Sequence, residues 1–397
     1  MRISSSMIFE SNVNAMGLMQ ARVLQTQQQL ASGNRLINPS DDPVAAARAM
    51  SVTQADATNT QYSSNRDAAR SVLTVTDSTL QGVTAAIQNV QTLAINAGHG
   101  SLDATARKSL VANLTSSLQM LVGLANSKDD KGNYLFAGYQ SQTQPFVDTG
   151  TGISYQGNDG QQMVQVSGSQ QVAASDSGAD IFMRVKNGNG TFDTNAAAAN
   201  TGSASISIGS VTNPASLTGN NYSLTFNVTG GVTTYDIMNT TTGAAVSTGN
   251  HYVSGQAINF DGMQTTISGV PANNDVFTVK PSTNESVFTT ISNLITALNA
   301  PAGTNMTGSV NRALNNLGNA LNNVLNTQAS VGVRQNQIDA IQVSGDTLGL
   351  QFKQTLSNLQ DTDYTKTVIN LNQQNLALQA AQMSFAKISN LSLFTYL

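Results

Sequence analysis

The side chains that most often carry catalysis or hold metal ions are scarce in this sequence of 397 residues. Cysteine is absent, which excludes disulfides, zinc–thiolate sites and cysteine nucleophiles. The two histidines, His99 and His251, are far apart, and neither has a second histidine at ligand spacing. His99 stands between two glycines and is expected in a solvated turn. We therefore predict no catalytic residue, no cofactor and no metal site.

Carboxylates are the other candidates for acid–base or metal chemistry. Asp41 and Asp42 are adjacent, but they directly precede Pro43. This pattern is typical of a helix start, with Asp42 as the N-cap and Pro43 at the first helical position. Three further aspartates are better explained as turn and strand-end residues than as catalytic groups: Asp236, Asp261 and Asp275.

The most informative stretch is Val368–Leu397, which is predicted to form one long helix with a single charged side chain, Lys387. Two apolar rows repeat every seven residues and lie about 200° apart around a helix. The first row is Tyr364, Leu371, Leu378 and Phe385, and the second row is Ile369, Leu376 and Met383. A free surface helix has one apolar face and a charged back. Two apolar faces indicate burial on most sides, in a large core or, as we favour, between neighbouring chains.

A partner for this helix is present near the other end of the chain. Met16, Val23 and Leu30 also recur every seven residues, in a helix predicted to end at Gly33, which can take the left-handed conformation. We expect these residues to pack on the first row within one subunit and the second row to face a neighbour. The spacing alone leaves open which row faces inward. The expected assembly interface comprises Met16, Val23, Leu30, Tyr364, Ile369, Leu371, Leu376, Leu378, Met383, Phe385, Ile388 and Leu391.

The energetics of these two arms favour an assembly. Pairing one arm with the other leaves the second apolar row in water, and ordering each residue costs on the order of 1–2 kcal/mol in backbone entropy. We expect the arms to be weakly ordered in a free chain and helical once neighbours cover both rows. The low charge of the two arms also favours an assembly, because a charged side chain buried between subunits would lose its hydration.

Composition excludes several other classes of protein. Charged residues make up 10% of the chain, the net charge is -4, and no run of basic residues occurs, so nucleic-acid binding has no electrostatic basis. No run of about 18 apolar residues is present, so we expect no membrane span. Residues 1–14 lack the features of a cleavable signal peptide, so any export is expected to use another route.

The periodicity between the two arms predicts the order helices, strands, helices. A helical pattern runs from Val44 to about Asn96, and a second one covers residues 110–125. From Gly188 to Pro281 we expect strands only, including a hairpin at Asp261–Gly262. Helical periodicity returns near Ser286 and continues into the C-terminal stretch.

The predicted fold class is therefore α + β and multidomain. Both termini form a long antiparallel helical coiled coil or bundle, and a central all-β insertion domain lies between them. The predicted domains are a terminal coiled-coil assembly domain (1–40 with 355–397), a helical bundle domain with a β-hairpin segment (41–187 with 284–354) and a β-rich outer domain (188–283).

Several motifs carry a family resemblance. Residues 30–43, LASGNRLINPSDDP, resemble the N-terminal signature of bacterial flagellins and their relatives. GNYLFAGY at 132–139 with Pro145–Phe146, SVGVR at 330–334 and SNLSLF at 389–394 resemble the hook-associated protein 3 branch of that family. A weaker likeness covers residues 255–263. One departure is Gln328, where the family pattern leads us to expect arginine.

The resemblance implies a structural adaptor of the bacterial flagellum. Members of this branch form a junction ring of identical copies between hook and filament, with hook-associated protein 1 on one side and flagellin on the other. It also implies extracellular localisation, type III flagellar export and a cytoplasmic chaperone that binds near the C-terminus.

Three alternatives remain open at this point. The first is filament flagellin itself, and the second is a secreted coiled-coil adhesin with the β domain as its binding head. The third is an enzyme, since some flagellin relatives carry a metalloprotease insertion. That activity requires paired histidines, whereas the insertion of this chain contains only His251.

Overall fold

Helices lie at both ends of the described chain and an antiparallel β region lies between them, as predicted. The computed structural model describes residues 5–98, 102–300 and 306–390. The helices of these segments are α1 (Ser5–Ser32), α2 (Pro43–Ala97), α3 (Ala104–Ala125), α4 (Val287–Asn299), α5 (Met306–Gln360) and α6 (Tyr364–Asn390). In the described segments, none of these helices is both long enough and apolar enough to cross a membrane. His99 lies outside the described residues.

The helix starts follow from short polar side chains. Asp42 accepts a hydrogen bond from the Ala45 amide at 3.0 Å, so its predicted N-cap role at α2 is confirmed. Asp103 accepts from the Ala106 amide at 2.6 Å at the start of α3. Ser286 caps α4 in the same way.

A break that the periodicity did not predict separates α5 from α6. Residues 361–363 leave the helical path, and α6 begins at Tyr364. Asp363 accepts a hydrogen bond from the Lys366 amide at 3.1 Å, which satisfies one of the unpaired donors of the new helix. The C-terminal stretch is therefore a separate helix from the return helix α5.

The β region contains short and medium strands. In chain order they are β1 (Phe146–Asp148), β2 (Ile153–Tyr155), β3 (Met163–Gln165), β4 (Gln171–Ala173), β5 (Val185–Lys186), β6 (Phe192–Ala196), β7 (Ser205–Ile206), β8 (Ser210–Val211), β9 (Tyr222–Thr229), β10 (Val232–Asn239), β11 (Ala244–His251), β12 (Ala257–Phe260), β13 (Met263–Ser268), β14 (Val276–Pro281) and β15 (Asn284–Glu285). A π-helical turn covers Ala179–Met183, and a 3-10 turn at Pro214–Ser216 interrupts the region where only strands were expected.

Two antiparallel sheets share one apolar core. The larger has the order β11-β10-β9-β14-β6, and the smaller has the order β12-β13-β7, with β8 also paired to β13. Buried residues of both sheets, among them Phe226, Ile267 and Phe277, form one cluster. The predicted hairpin at Asp261–Gly262 is confirmed, because both residues have positive φ angles of 42° and 78°.

The chain divides into two compact units. The first unit comprises Met1–Ser64 and Ala340–Leu397, and the second comprises Asn65–Asp339. The division falls within α2 and α5. The first unit thus contains α1 and α6, whereas the second contains α3, α4 and the β strands.

Candidate assembly interface

Helices α1 and α6 form an antiparallel pair in the first unit. Phe9 and Phe385 lie with their ring centroids 5.0 Å apart at one end of the pair. Nearer the other end, the hydroxyl of Thr26 hydrogen-bonds the side-chain amide oxygen of Gln374 at 2.9 Å. The pairing of early residues of α1 with late residues of α6 establishes the antiparallel direction.

The structure distinguishes the two apolar rows of α6 by their exposure. Leu371, Leu378 and Phe385 are half-buried, on the side where Phe385 contacts Phe9. On α1, Val23 is buried and Met16 and Leu30 are half-buried. The first residue of this row, Tyr364, is 55% exposed at the start of α6.

The second row of α6, which we call the outer row, is uncovered in the single chain. Ile369, Leu376 and Met383 are 51%, 67% and 63% exposed. Large apolar side chains with this exposure, aligned along one helix face, are typical of protein–protein interaction surfaces. The two remaining residues of the expected interface are not described, since the side chain of Ile388 and the whole of Leu391 lie outside the described residues.

The linker between α1 and α2, residues 33–42, is held by a dense set of hydrogen bonds. The carboxylate of Asp41 accepts from the amides of Ile37 at 3.2 Å and Asn38 at 3.0 Å, and from the side chain of Gln25 at 3.0 Å. A carboxylate that accepts several donors of its own loop fixes the backbone of that loop. Asp41 therefore has a structural role, and no catalytic role is needed to explain it.

The linker is also joined to the segment between α5 and α6. The amide of Arg35 donates to the Gln360 carbonyl at 2.6 Å, and the amide of Thr362 donates to the Gly33 carbonyl at 2.9 Å. The guanidinium of Arg35 adds a bond to the Leu359 carbonyl at 2.8 Å. We call these two paired segments, residues 33–35 and 360–362, the linker clamp.

Gly33 has the conformation that the sequence predicts. Its φ angle is 73°, and a Cβ at this position would lie 3.0 Å from the hydroxyl of Tyr364. Left-handed backbone is accessible to glycine without the steric penalty that a Cβ brings. The end of α1 and the start of α6 thus meet at a position that only glycine fills without strain.

Two aromatic residues of the motifs belong to a buried aromatic cluster of the second unit. Phe136 and Phe146, from the GNYLFAGY motif and the following Pro145–Phe146, are fully buried. Both pack edge-on against Phe182, at centroid distances of 5.6 and 5.3 Å. Gly138 has a φ angle of 65° and no room for a Cβ beside Asn158. These residues have structural roles in the fold.

Two motif positions on α5 make polar contacts within the second unit. Arg334 donates to the Ala173 carbonyl at 2.8 Å and to the Asp176 carboxylate at 2.5 Å, which ties the β3–β4 hairpin to the helix. Gln328, where arginine was expected, donates to the carboxylate of Asp77 at 3.0 Å. A neutral side-chain amide therefore donates to a carboxylate at that position.

Asparagines on α5 form contacts that the sequence analysis did not identify. Asn319 donates to the carbonyls of Lys186 and Gly188, at 2.8 Å in both cases, and Asn323 donates to the carbonyl of Asp180 at 2.6 Å. These amides satisfy irregular backbone without introducing charge. Their spacing of four residues along one helix face is the signal that could have revealed them.

A partly buried electrostatic cluster of the second unit is formed by Arg312, Asp193 and Glu285. The guanidinium lies 2.7 Å from the Asp193 carboxylate and 3.4 Å from that of Glu285. Burial raises the pKa of the Asp193 carboxyl, although the charge of Arg312 opposes the shift. The cluster holds β6 and β15 to α5, and it is a structural site.

The described segments contain no group of three or more His, Asp or Glu side chains placed to hold a metal ion. Asp275 is buried and accepts from the amides of Thr201, Gly202 and Ala272, so the predicted structural role of this aspartate is confirmed. His251 is exposed at the end of β11.

Comparisons with known proteins extend over the whole chain. Residues 3–141 match the bacterial flagellin N-terminal helical region, and residues 195–281 match the D2-like domain of flagellar hook-associated protein 1. Flagellar hook-associated protein 3 of Salmonella typhimurium is 27% identical over 400 residues, which cover 99% of both chains. The Escherichia coli protein of the same name is 26% identical over the same share.

Solved structures give the same result. Flagellar hook-associated protein 3 from Legionella pneumophila superposes with a TM-score of 0.73 at 31% identity and covers 78% of this chain and 98% of its own. FlgL from Xanthomonas campestris superposes with a TM-score of 0.72 at 30% identity and covers 77% of this chain and 99% of its own.

Proposed function

The chain belongs to the flagellar hook-associated protein 3 family, and on this basis we propose that it is a structural subunit of the junction between the flagellar hook and the filament. The observation that carries the proposal is the uncovered outer row of α6. Three large apolar side chains on an almost uncharged terminal helix favour an assembly whose neighbours cover them.

The size of this effect supports an assembly role. Fully burying a large apolar side chain contributes about 1.5–3 kcal/mol. Because the three side chains of the outer row are already partly covered, at 51–67% exposure, burying the rest contributes roughly 3–5 kcal/mol per subunit before the losses of association. The lone chain does not gain this free energy, because the three side chains remain exposed to water. A neighbour in a closed ring of identical copies recovers it in every subunit.

The partners follow from the proposed position. Copies of the chain form the ring, hook-associated protein 1 supports it on the hook side, and flagellin adds on the filament side. The uncovered apolar face of α6 is a liability before assembly. We propose that a cytoplasmic chaperone covers the C-terminal region until the chain leaves by flagellar type III export without a cleavable signal peptide, for an extracellular site.

Labelling the protein in intact flagella tests the proposal. Immunogold particles should mark only the base of the filament, next to the hook. Deleting the gene should remove filaments and release unpolymerised flagellin into the medium. Labelling along the whole filament, or normal filaments in the deletion strain, would contradict the proposal.

Stoichiometry separates the proposal from filament flagellin. The family model for the flagellin N-terminal region covers residues 3–141, whereas the hook-associated protein 3 relatives match 99% of the chain. A junction subunit should be a minor component of purified flagella, while flagellin is the major one. Loss of flagella in the deletion strain would also exclude the adhesin alternative. We propose no enzymatic role.

A further inference from the structure

An open groove lies on the first unit, beside the linker. The groove has a volume of about 640 Å³. Its lining is mostly apolar and includes Leu36, Ile37 and Pro39 of the linker and Ala46, Ala47 and Met50 of α2, together with the uncharged polar residues Asn38, Thr53, Gln54 and Gln360. Met50 is 74% exposed at its rim. We call this feature the linker groove.

Hydrogen bonds within the single chain hold the backbone of the linker groove. Asp41 holds the backbone of Ile37 and Asn38, and Arg35 is bonded to the segment that follows α5. A preformed surface binds with a smaller loss of conformational freedom than one that must first order. Among the described residues that line the groove, none carries a charge.

We propose that the linker groove receives the outer row of α6 from a second copy of the chain. The proposal rests on the proposed function and specifies where a neighbouring subunit docks. Ile369, Leu376 and Met383 advance by only about 20° per heptad, so they form one nearly straight ridge. No charged residue occurs between Val368 and Ala386, so no ion is desolvated when the ridge enters an uncharged groove.

The exposed apolar residues of α1 fit the groove less well. Leu18 and Leu24 are 66% and 55% exposed, but the exposed charged side chains of Glu10 and Arg22 lie on the same helix. An occupant from α1 would bring those charges towards apolar walls. The uncharged stretch of α6, residues 368–386, is therefore the better match.

The occupant belongs to another copy. In the lone chain the outer row is 51–67% exposed on a continuous helix, so it does not fill the groove of its own subunit. A ridge on one face and a groove on another face of the same unit make a heterologous contact, which repeats from copy to copy and generates a ring or a helical tube.

Paired cysteines test this contact directly, because the sequence has no cysteine of its own. Flagella are isolated from cells that express the full-length double variant Met50→Cys/Leu376→Cys and are then mildly oxidised. Disulfides form only when the two Cα atoms come within about 7 Å. We expect most of the monomer band to shift into a ladder of dimers, trimers and larger species, which each single variant fails to give.

The matched control is Ser51→Cys/Ala377→Cys. Both residues are exposed, and each lies one position on, about 100° around its helix. No ladder is expected from it. A double variant Met50→Cys/Leu376→Cys that is present in flagella but stays monomeric would overturn the docking proposal and leave the proposed function intact. Absence of the wild-type protein from the flagellar base would instead overturn the proposed function.

A charge pair gives a second test that needs no oxidation. Met50→Glu and Leu376→Lys should each reduce incorporation into flagella at least tenfold, since each buries one unpaired charge at the contact. The double variant should restore most of the wild-type amount, because the two charges then face each other across the interface. Wild-type incorporation of both single variants, or a double variant no better than the single ones, would contradict the proposal.

Discussion

At the scale of single residues, Gly33 is a position in the first unit where a side chain should be destabilising. Gly33→Ala places a Cβ on left-handed backbone, 3.0 Å from the Tyr364 hydroxyl. We expect a loss of about 1–2 kcal/mol in the free energy of unfolding of the first unit, measured by urea denaturation. Gly17→Ala is the control, because nothing lies within 4 Å of its added Cβ and alanine favours a helix. Equal stability of the two variants would contradict the argument.

Arg312 is the second position at which we expect a substitution to have a clear effect on stability. Arg312→Met leaves the carboxylates of Asp193 and Glu285 buried without their cation, which should cost about 3–5 kcal/mol of stability at neutral pH. Burial raises the folded-state pKa of Asp193, so its protonated form favours the folded state. The variant should therefore regain stability as pH falls through that raised pKa, with the gain complete below the ordinary aspartate pKa.

Thermal melts of the Arg312→Met variant at a series of pH values measure this effect. Arg184→Met is the matched control, since Arg184 pairs with Asp159 and Asp180 at an exposed site and should change stability little. A pH profile of Arg312→Met that parallels the wild type would show that the buried carboxylates do not depend on Arg312.

At the scale of elements, the two rows of α6 should respond differently to the same substitution. Phe385→Asp places a charge against Phe9, so it should separate α1 from α6 and abolish incorporation while the β region stays folded. Leu376→Asp changes an exposed position, so it should leave the helix pair intact and still block incorporation. Ser384→Asp, also exposed, is the control. Circular dichroism and the amount of protein in flagella measure the two effects, and normal filaments with Phe385→Asp would refute the assignment.

The order of elements could be predicted from the sequence because its signals are local. Asp42 and Pro43 predicted the start of α2, and Asp261–Gly262 predicted the hairpin, since caps and turns depend on neighbouring residues. The break before Tyr364 was missed because heptad periodicity on both sides outweighed the capping signal of Asp363. Strands were expected throughout residues 188–281, but β11 could not be singled out, because its exposed edge position leaves its side chains without an alternating apolar pattern.

The packing of α6 on α1 was predictable only in part. Two apolar rows of similar composition could not be ranked by spacing, and the pairing of Phe9 with Phe385 identifies the inner one. The linker groove depends on side chains from the linker and α2 that come together only after Asp41 and Arg35 fix the backbone. The pattern of residues along the sequence does not show which of these side chains come together in the fold.

At the scale of the whole molecule, assembly should change the order of the terminal helices. We expect amide hydrogen exchange in the isolated chain to be fast at residues 371–387, because one face of α6 remains in water, and slow in the strands around Phe226 and Phe277, whose core is complete. Exchange in intact flagella should be slow in both regions. Strong protection of residues 371–387 in a monomer without oligomers would contradict the assembly argument.

The linker clamp has a mechanical consequence. Its two backbone bonds, Arg35 to Gln360 and Thr362 to Gly33, join the two chain segments side by side in opposite directions. A force that slides one segment along the other acts on both hydrogen bonds at the same time, so the two bonds must break together. A subunit built into a turning shaft thereby gains a joint that resists shear without any covalent cross-link.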